Sequence, residues 1–242
     1  MNLRMLRMQF GIEQRLFWRN RSGVFFTFIL PLAMLVALAL SNDPVDHVPL
    51  IATLGILSTG FQWMSMQLSM HRDQGVLKRM MATPLPPGTF VLAKVLSTLV
   101  VVLVETSIVV AAGVWLFGAP VPVAPFALLG FVVLGTGCFV ALGFLVANLT
   151  PTSESAPAIT NAAYLGLILL SVVLDQADGI AEPLRAAGHL LPLQPLFQGV
   201  QHAWIDGLVG GDLRRAIVLA AWAVLAGAWT ARRFRWEPSG ER

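Results

Sequence analysis

Four long stretches of this chain contain no charged side chain, and they limit the possible folds more than any motif does. They cover residues 22–40, 50–70, 126–147 and 158–174. Each is close to the ~20 apolar residues that a helix needs to cross the hydrocarbon of a bilayer. The apolar residues run together and do not alternate with polar ones, which favours helices over an outer-membrane barrel. The sequence therefore predicts an all-α integral membrane protein.

Two further runs, residues 91–117 and 213–230, bring the prediction to six transmembrane helices within one domain, residues 22–231. Both carry charge near one end, at Lys94 and at Arg214 and Arg215, and we expect these cations to reach the head groups. The composition agrees, because 56% of the residues are hydrophobic and 12% are charged. A soluble domain could not bury so much apolar surface.

The basic residues predict which ends of the chain lie in the cytoplasm. Residues 1–21 place apolar side chains at helical spacing between five arginines, which predicts an amphipathic helix lying along the membrane. If this helix, residues 71–94 and the tail at 232–242 are inside, they hold 13 of the 16 basic residues. The positive-inside rule then gives a multi-pass protein of the cytoplasmic (plasma) membrane with both termini in the cytoplasm. A removable signal peptide is not expected, because the basic N-terminus lacks a short apolar core before a cleavage site.

Residues 71–94, HRDQGVLKRMMATPLPPGTFVLAK, form a compact polar segment between two apolar runs and carry both lysines of the chain. Apolar side chains recur there at helical spacing, at Val76, Leu77, Met80 and Met81. With Lys78 and Arg79 beside them, this pattern predicts a short amphipathic helix. The prolines after Thr83 end it, because they lack an amide donor. The alternative is an ordinary solvated loop, since charge runs usually lie in solvent.

Residues 175–212 are neither plainly soluble nor plainly membrane-spanning. Acidic residues outnumber basic ones, yet many apolar side chains need burial. Two faces of a helix are predicted, one with Pro195, Gln198, Gln201 and His202 and the other with Phe197, Val200 and Trp204. A re-entrant or interfacial helix on the outer side, before the last span, fits this pattern.

Glu105 is the acidic residue deep inside an otherwise apolar span. A carboxyl at that depth costs on the order of 2.5–3.5 kcal/mol, so we expect it to face the bundle interior, either protonated or hydrogen-bonded. It either lines a path through the bundle or joins two helices.

In residues 126–147, Gly137 with Ala141 and Gly143 with Ala147 are small residues four apart. This spacing predicts close helix contact. The alternative is the ordinary glycine content of a membrane helix.

Several classes of function lack their motifs. The chain has no Gly-x-x-x-x-Gly-Lys-Ser/Thr phosphate loop, no His-Glu-x-x-His and no Gly-x-Ser-x-Gly, so we expect no ATP site, catalytic residue or zinc site in it. An intramembrane hydrolase is the disfavoured enzyme alternative. One cysteine, Cys138, excludes a disulfide framework within the chain. The pI is near 9.7, and we expect the basic residues behind it to contact lipid head groups. Nucleic acid is therefore not an expected partner.

Three stretches carry a family resemblance. They are residues 19–32, with Arg19-Asn20-Arg21 leading to Leu30-Pro31-Leu32, residues 72–94, and the run LLPLQPLFQGVQHAWIDG before the last span. Together they resemble the permeases of type-2 ATP-binding cassette (ABC) exporters, in the drug-resistance branch typified by the daunorubicin exporters. Two positions differ from the common family pattern, since Gln74 and Val76 stand where the family often has Glu and Thr.

The resemblance implies a role for each stretch. The segment at 71–90 would be a coupling loop that docks on a separate ATPase subunit through Asp73, Gln74, Gly75, Val76, Leu77, Lys78, Arg79 and Met80. ATP and Mg²⁺ would bind in that subunit, and this chain would hold no cofactor. The segment before the last span would cap the pathway, with Pro195, Phe197, Gln198 and His202 in an external gate, while Glu105 is a candidate for the transport path because of its depth in the third span.

The same resemblance implies two permease subunits, as a homodimer or heterodimer, surrounded by membrane lipids. The expected function is export of a small amphiphilic compound, a drug or antibiotic, across the cell inner membrane. Alternatives within the family are lipid, glycolipid or polysaccharide export. An alternative from another class is a membrane anchor or assembly factor that transports nothing.

Overall fold

The computed structural model describes residues 3–40, 44–81, 85–176 and 188–233, and within these ranges the chain is helical apart from short turns. The helices are α1 (Leu3–Arg19), α2 (Arg21–Ala39), α3 (Pro44–Leu57), a π-helical turn (Ser58–Trp63), α4 (Met64–Asp73), α5 (Val76–Met81), α6 (Pro87–Phe117), α7 (Pro125–Leu149), α8 (Ala156–Gln176), α9 (Leu193–Ile205) and α10 (Asp212–Arg233). The predicted all-helical class is confirmed for this part of the chain.

Five helices of the described residues are long and apolar enough to cross a membrane, namely α2, α6, α7, α8 and α10. They match the first, third, fourth, fifth and sixth predicted spans. The second predicted span, residues 50–70, falls on α3, the π-helical turn and α4, which follow one another without a break. A π-helical turn accommodates one extra residue and changes the register of the helix around it. None of the three parts is by itself long enough to count as a span.

Helix ends are set by residues that suit them. Asn20 separates α1 from α2, and its Oδ1 accepts the amide hydrogen of Gly23 at 3.0 Å, capping α2. Helix α6 starts at Pro87, four residues before the predicted span, because proline is well accommodated in the first turn of a helix. Gly118 ends α6 in the left-handed conformation with φ of 70°.

Helix α7 lies at the centre of the bundle. In the most apolar stretch of α7, 56% of the residues are buried, whereas the same share in α8 is 11%. The main apolar core surrounds it and includes the buried side chains Phe61, Phe131, Phe139, Leu196 and Trp204. Helices α2 and α8 are mostly uncovered within this single chain, so their outer faces are left for lipid or another subunit.

Of the two predicted small-residue pairs in α7, only one makes a close helix contact. A Cβ on Gly143 would already lie 2.9 Å from the carbonyl oxygen of Phe61 in the π-helical turn, and Ala147 is buried. A Cβ on Gly137 would meet nothing within 4 Å. Gly143 therefore allows close approach of two helices, whereas Gly137 faces open space.

Helix α9 packs against α3, α7 and α10, so the segment before the last span does contain a helix attached to the bundle. Gly199 lies against the ring of Phe131, and the carbonyls of Ala203 and Trp204 accept amide hydrogens from the turn before α7. The predicted division of its faces is partly wrong. Pro195 is buried together with Val200 and Trp204, while Phe197 is only half-buried, because α9 meets several other helices and its buried surface is wider than one stripe.

Candidate coupling and transport sites

The predicted amphipathic helix in the polar segment is present as α5, joined to α4 by Gln74 and Gly75. Gly75 has φ of 66°, a left-handed conformation that favours glycine. Arg79 closes the turn, because its Nη2 donates to the carbonyl oxygen of Gln74 at 3.2 Å. The glycine of the polar segment is thus required by the turn that starts α5.

Leu77 does not lie on the face of α5 that a partner protein could contact. Leu77 is fully buried in a second apolar cluster, with 0% exposure. The other buried members of that cluster are Met64, Leu68, Phe90, Val140, Phe144 and Ala147. Val76 and Met80 are half-buried, while Gln74, Lys78 and Arg79 are exposed. The surface that α5 offers to a partner is therefore polar and basic, and Leu77 holds the helix to the bundle.

Arg72 and Asp73 connect the end of α4 to the loop after α7. Arg72 is buried, and its Nη1 and Nη2 donate to the carbonyl oxygens of Ala147 and Thr150 at 2.9 and 2.5 Å. The Asp73 carboxylate accepts the amide hydrogen of Ser153. A guanidinium at carbonyls that end a helix is favourable, because those groups lack intrahelical partners and carry partial negative charge.

A buried ion pair joins α1 to α6. Lys94 is 1% exposed, and its Nζ donates to Glu13 Oε2 at 2.8 Å and to Gln67 Oε1 at 2.9 Å. Gln9 donates to the other oxygen of Glu13 at 2.9 Å. Lys94 thus does not extend to the head groups as expected but is enclosed by the N-terminal helix. Sequence reasoning missed Glu13, although it is the one acidic residue in a basic stretch.

His71 lies beside this ion pair and outside the predicted spans. The pKa of His71 is lowered to about 4, chiefly because the side chain is buried; the nearby Lys94 ammonium also lowers it, and the Glu13 carboxylate opposes both effects. His71 is therefore neutral at physiological pH, and the Glu13 carboxylate balances the Lys94 ammonium.

Glu105 faces the bundle interior, as predicted for a carboxyl at that depth. It is 3% exposed, and Thr59 in the π-helical turn donates its hydroxyl to Oε2 at 2.8 Å. A Cβ on Gly55 would lie 2.6 Å from Oε1, so glycine at that position makes room for the carboxyl. Glu105 therefore joins α6 to the helix that contains the π-helical turn.

The predicted gate residues lie on α9, and two of them belong to a polar cluster at the start of α10. Gln198 Oε1 accepts from Arg215 Nε at 3.1 Å, and His202 Nδ1 lies 3.2 Å from Asp212 Oδ1. Arg215 Nη1 donates to the same oxygen of Asp212 at 2.8 Å. The structure brings Gln198 and His202 together through Asp212 and Arg215, which the sequence analysis did not connect with them. Pro195 and Phe197 take no part in these hydrogen bonds.

Cavities lie between predicted spans. One of 540 Å³ lies between the first turns of α6 and the C-terminal halves of α7 and α10 and is mostly apolar, with Val95, Val140, Phe144 and Gly227 in its wall. Another of 410 Å³ lies between α2 and the π-helical turn and has polar side chains in its wall, namely Asn20, Ser22, Thr27, Ser58, Thr59 and Gln62. Next to the second cavity, Gln62 donates to Asn161 of α8 at 2.6 Å on the outer surface of the chain.

The described residues offer hydrogen-bonding groups, ionisable side chains and cavities. Among residues 3–40, 44–81, 85–176 and 188–233, no three His, Cys, Asp or Glu side chains lie where they could hold one metal ion. Cys138 is a buried free thiol.

These features define a multi-pass helical membrane protein with polar groups arranged along its helices. Residues 10–204 match the ABC-2 type transporter family. Because the match covers most of the chain, the protein belongs to this family and is a membrane subunit of an ABC transporter. The matched domain is a transport component and not a catalytic one, and the family implies an ATPase partner subunit. Comparison with curated proteins gives no match.

Proposed function

We propose that the chain is the permease subunit of a type-2 ABC exporter of the drug-resistance branch. It moves a small amphiphilic compound, a drug or antibiotic, out across the cytoplasmic membrane, and a separate ATPase subunit binds ATP and Mg²⁺. The observation that carries the proposal is the match of residues 10–204 to the ABC-2 type transporter family. The coupling surface is the exposed side of α5, with Gln74, Lys78 and Arg79, while Leu77 anchors it from below.

The proposed topology has six spans with both termini in the cytoplasm. The second span is residues 50–70, within the continuous run of α3, the π-helical turn and α4. Its support is the absence of charge from residues 50–70, together with the 13 of 16 basic residues that this topology puts inside.

A second permease subunit is proposed to cover the outer faces of α2 and α8. These faces are mostly apolar, but Gln62 and Asn161 lie on the outer surface between them. Polar side chains in spans rarely face lipid, and they usually line a bundle interior or a water-filled cavity. A homodimer or a heterodimer would both cover them.

We propose that the transport path includes the 410 Å³ cavity between α2 and the π-helical turn. Thr59 lies in the wall of this cavity and donates to Glu105, so the carboxyl lies one hydrogen bond behind the wall. The α9 segment with Pro195, Phe197, Gln198 and His202 would close the path on the outer side. The mixed polar and apolar wall suits an amphiphile.

Lipid, glycolipid or polysaccharide export is the alternative within the family, and a non-transporting anchor is the alternative outside it. The test is purification of the chain with its ATPase subunit in lipid nanodiscs. We expect ATP hydrolysis to respond to the permease and to be stimulated by some members of a panel of drugs, lipids and glycolipids.

The coupling surface is tested with the exposed double variant Lys78→Glu and Arg79→Glu, which reverses the charge of that surface outside the apolar core. It should reduce the stimulation while the protein stays in the membrane. If the ATPase subunit does not co-purify with the chain and its activity does not respond to it, the result favours the alternative that the chain is a non-transporting membrane anchor. Stimulation by glycolipids alone would mean that the exported compound is a glycolipid and not a drug.

A further inference from the structure

The 540 Å³ cavity lies on a side of the bundle that the proposed transport path does not use. The described residues in its wall come from 87–95 of α6, 137–144 of α7 and 223–231 of α10. Each of these stretches is about 10–12 Å long at the helical rise of about 1.5 Å per residue. The hydrocarbon of one leaflet is about 15 Å thick, half of the bilayer core. The cavity is therefore nearly as long as one leaflet is deep.

One end of the cavity lies at helix termini and the other lies deep in the bundle. Helix α6 runs antiparallel to α7, because a short turn joins them, and the turn before α7 bonds to the end of α9, which precedes α10. Helix α10 therefore runs in the same direction as α7. Pro87 and Ala231 mark the terminal end of the cavity, and Gly137 and Ala223 mark the deep end. The proposed topology places the terminal end in the cytoplasmic leaflet.

The cavity is apolar and open along its length. Among the described residues, its wall has no charged side chain and consists mostly of valine, leucine, alanine, glycine and phenylalanine. A Cβ on Gly137 or on Gly227 would meet nothing within 4 Å, although both residues are half-buried. A flexible hydrocarbon chain suits such a space, because an empty cavity forfeits dispersion contacts with its wall.

Thr230 is the one polar side chain among the described residues of this wall. It is 5% exposed, and its Oγ1 is buried without a hydrogen-bond partner among the described residues. A buried hydroxyl without a partner is costly, and within a bilayer no water replaces the missing partner. The hydroxyl can donate one hydrogen bond. It therefore points to a ligand that carries an acceptor, such as an ester carbonyl, next to its apolar chain.

The terminal end of the cavity is electropositive. The N-terminus of α6 carries partial positive charge, and Pro87 and Gly88 of its first turn lie in the wall. Exposed Arg232 directly follows Ala231 of the wall. From the terminal end inward, the cavity thus presents positive charge, one hydroxyl and an apolar space. Phosphate, ester and acyl chain follow in the same order in an anionic glycerophospholipid.

We propose that this cavity binds an acyl chain of an anionic glycerophospholipid. Thr230 donates to an ester carbonyl of the lipid, and the phosphate lies beside Arg232 and the start of α6. The acyl chain fills the space between α6, α7 and α10. This inference needs the membrane class of the chain, but it depends neither on the exporter function nor on a particular substrate.

The chain's own tail is a weaker candidate for this cavity. Residues 234–242 directly follow α10, but four of these nine residues are charged. Burial of charged side chains in an apolar cavity at membrane depth is costly. A lipid brings a long apolar chain without charge and keeps its phosphate at the electropositive end.

The test uses the chain purified with its ATPase subunit in dodecyl maltoside, a detergent with neither charge nor ester groups. The probe is phosphatidylglycerol with a diazirine in one acyl chain, added at increasing mole fraction of the micelle. Mass spectrometry then locates the photolabelled residues. We expect label on residues 137–144 and 223–231 that saturates as the probe increases. Label that rises linearly would mean ordinary surrounding lipid only and would overturn the proposal.

A cavity-filling variant and a matched control check the location. Gly227→Leu places a side chain in the open space of the cavity and should lower the saturable label at least fivefold. Gly130→Leu is the control, because Gly130 is exposed on α7 outside the cavity and a Cβ there also meets open space. Its label should stay within about twofold of wild type. Wild-type labelling of folded Gly227→Leu would overturn the proposal, and melting temperatures show that both variants are folded.

The polar contacts are tested separately. Thr230→Val keeps the shape of the side chain and removes its hydroxyl, so half-saturation should need about fivefold more probe, the effect of one net hydrogen bond. A phosphatidylcholine probe with the same diazirine chain should label about threefold to fivefold less well, because it has no net negative charge. An unchanged Thr230→Val variant would overturn the ester contact, and equal labelling by the two probes would overturn the anionic head group.

Other occupants give different results. Deletion of residues 234–242 should leave the label unchanged, and a severalfold rise would mean that the tail occupies the cavity. A compound that stimulates ATP hydrolysis and also displaces the probe would make the cavity part of the transport path. Either result would overturn the lipid site. Labelling requires no ATP hydrolysis, so its failure leaves the proposed function intact, and failure of transport leaves the lipid site intact.

Discussion

Buried ionisable side chains of this protein are held by polar groups from distant parts of the chain. Lys94 meets Glu13 and Gln67, Arg72 meets the carbonyls at the end of α7, and Glu105 meets Thr59. A charge removed from water is tolerated only with such partners, since breaking a buried pair by removing one side leaves the other uncompensated. Each contact therefore fixes how two or three helices are placed relative to each other.

Glu105 gives a test at this scale. Glu105→Gln keeps the shape of the side chain and can still accept from Thr59, but it cannot carry a negative charge. We expect it to weaken export of cationic amphiphiles more than export of neutral ones, because a carboxylate one hydrogen bond behind the wall would attract a cation. The measurement is transport of matched cationic and neutral compounds into inverted vesicles.

Glu105→Leu is the control for a structural role, because leucine cannot bond to Thr59. Near-normal export of every compound by the Gln variant, with loss of folded protein only in the Leu variant, would mean that Glu105 serves the helix contact alone. Recognition of cations would then be excluded.

At the scale of elements, the approach of α7 to the π-helical turn decides how the bundle packs. Gly143 lies against the backbone of Phe61, and Gly60 of the turn lies against Phe139 of α7. Glycine at such contacts lets two backbones come close, which is how helices associate in membranes. Thr59, in the same π-helical turn, bonds to Glu105 of α6, so the turn contacts both α6 and α7.

Two glycine substitutions in the same helix check this packing. Gly143→Ala puts a Cβ 2.9 Å from a carbonyl oxygen that belongs to backbone and cannot easily move. It should destabilise the protein by about 1–3 kcal/mol, as overpacking does. Gly137→Ala on α7 meets open space and should not destabilise it. The measurement is the melting temperature of each variant in the same detergent. Equal melting temperatures for the two variants would contradict the close approach of α7 to the π-helical turn.

At the scale of the whole molecule, the turn before α7 and the loop after it lie at opposite ends of a helix long enough to span the membrane. The turn bonds to the end of α9, and the loop bonds to Arg72 and Asp73. The proposed six-span topology assigns the first end to the outside and the second to the cytoplasm.

Cysteine labelling tests this assignment in a variant lacking Cys138. Cysteines at Asp46, Pro120 and Glu182 should react with an impermeant maleimide added from outside, and one at Ser153 should not react until the membrane is permeabilised. Reaction of Ser153 from outside in intact cells would reject the six-span topology.

The sequence by itself determined the membrane class, the helical runs and the short helix in the polar segment. These follow from local patterns, namely uninterrupted apolar length, helical spacing and proline or glycine at the ends. The burial of Glu105 could also be predicted, because a lone carboxyl in a span has few acceptable surroundings.

Only the tertiary structure decided which groups meet. Glu13 and Lys94 are 81 positions apart, and Arg72 and Thr150 are 78 apart, so no local pattern connects them. Leu77 fits the exposed or the buried side of an amphipathic helix equally well by spacing, and its burial depends on the cluster that α7 brings to it. The π-helical turn likewise depends on its contacts with α6 and α7. Pairing and burial are properties of surfaces that come together only when the helices pack.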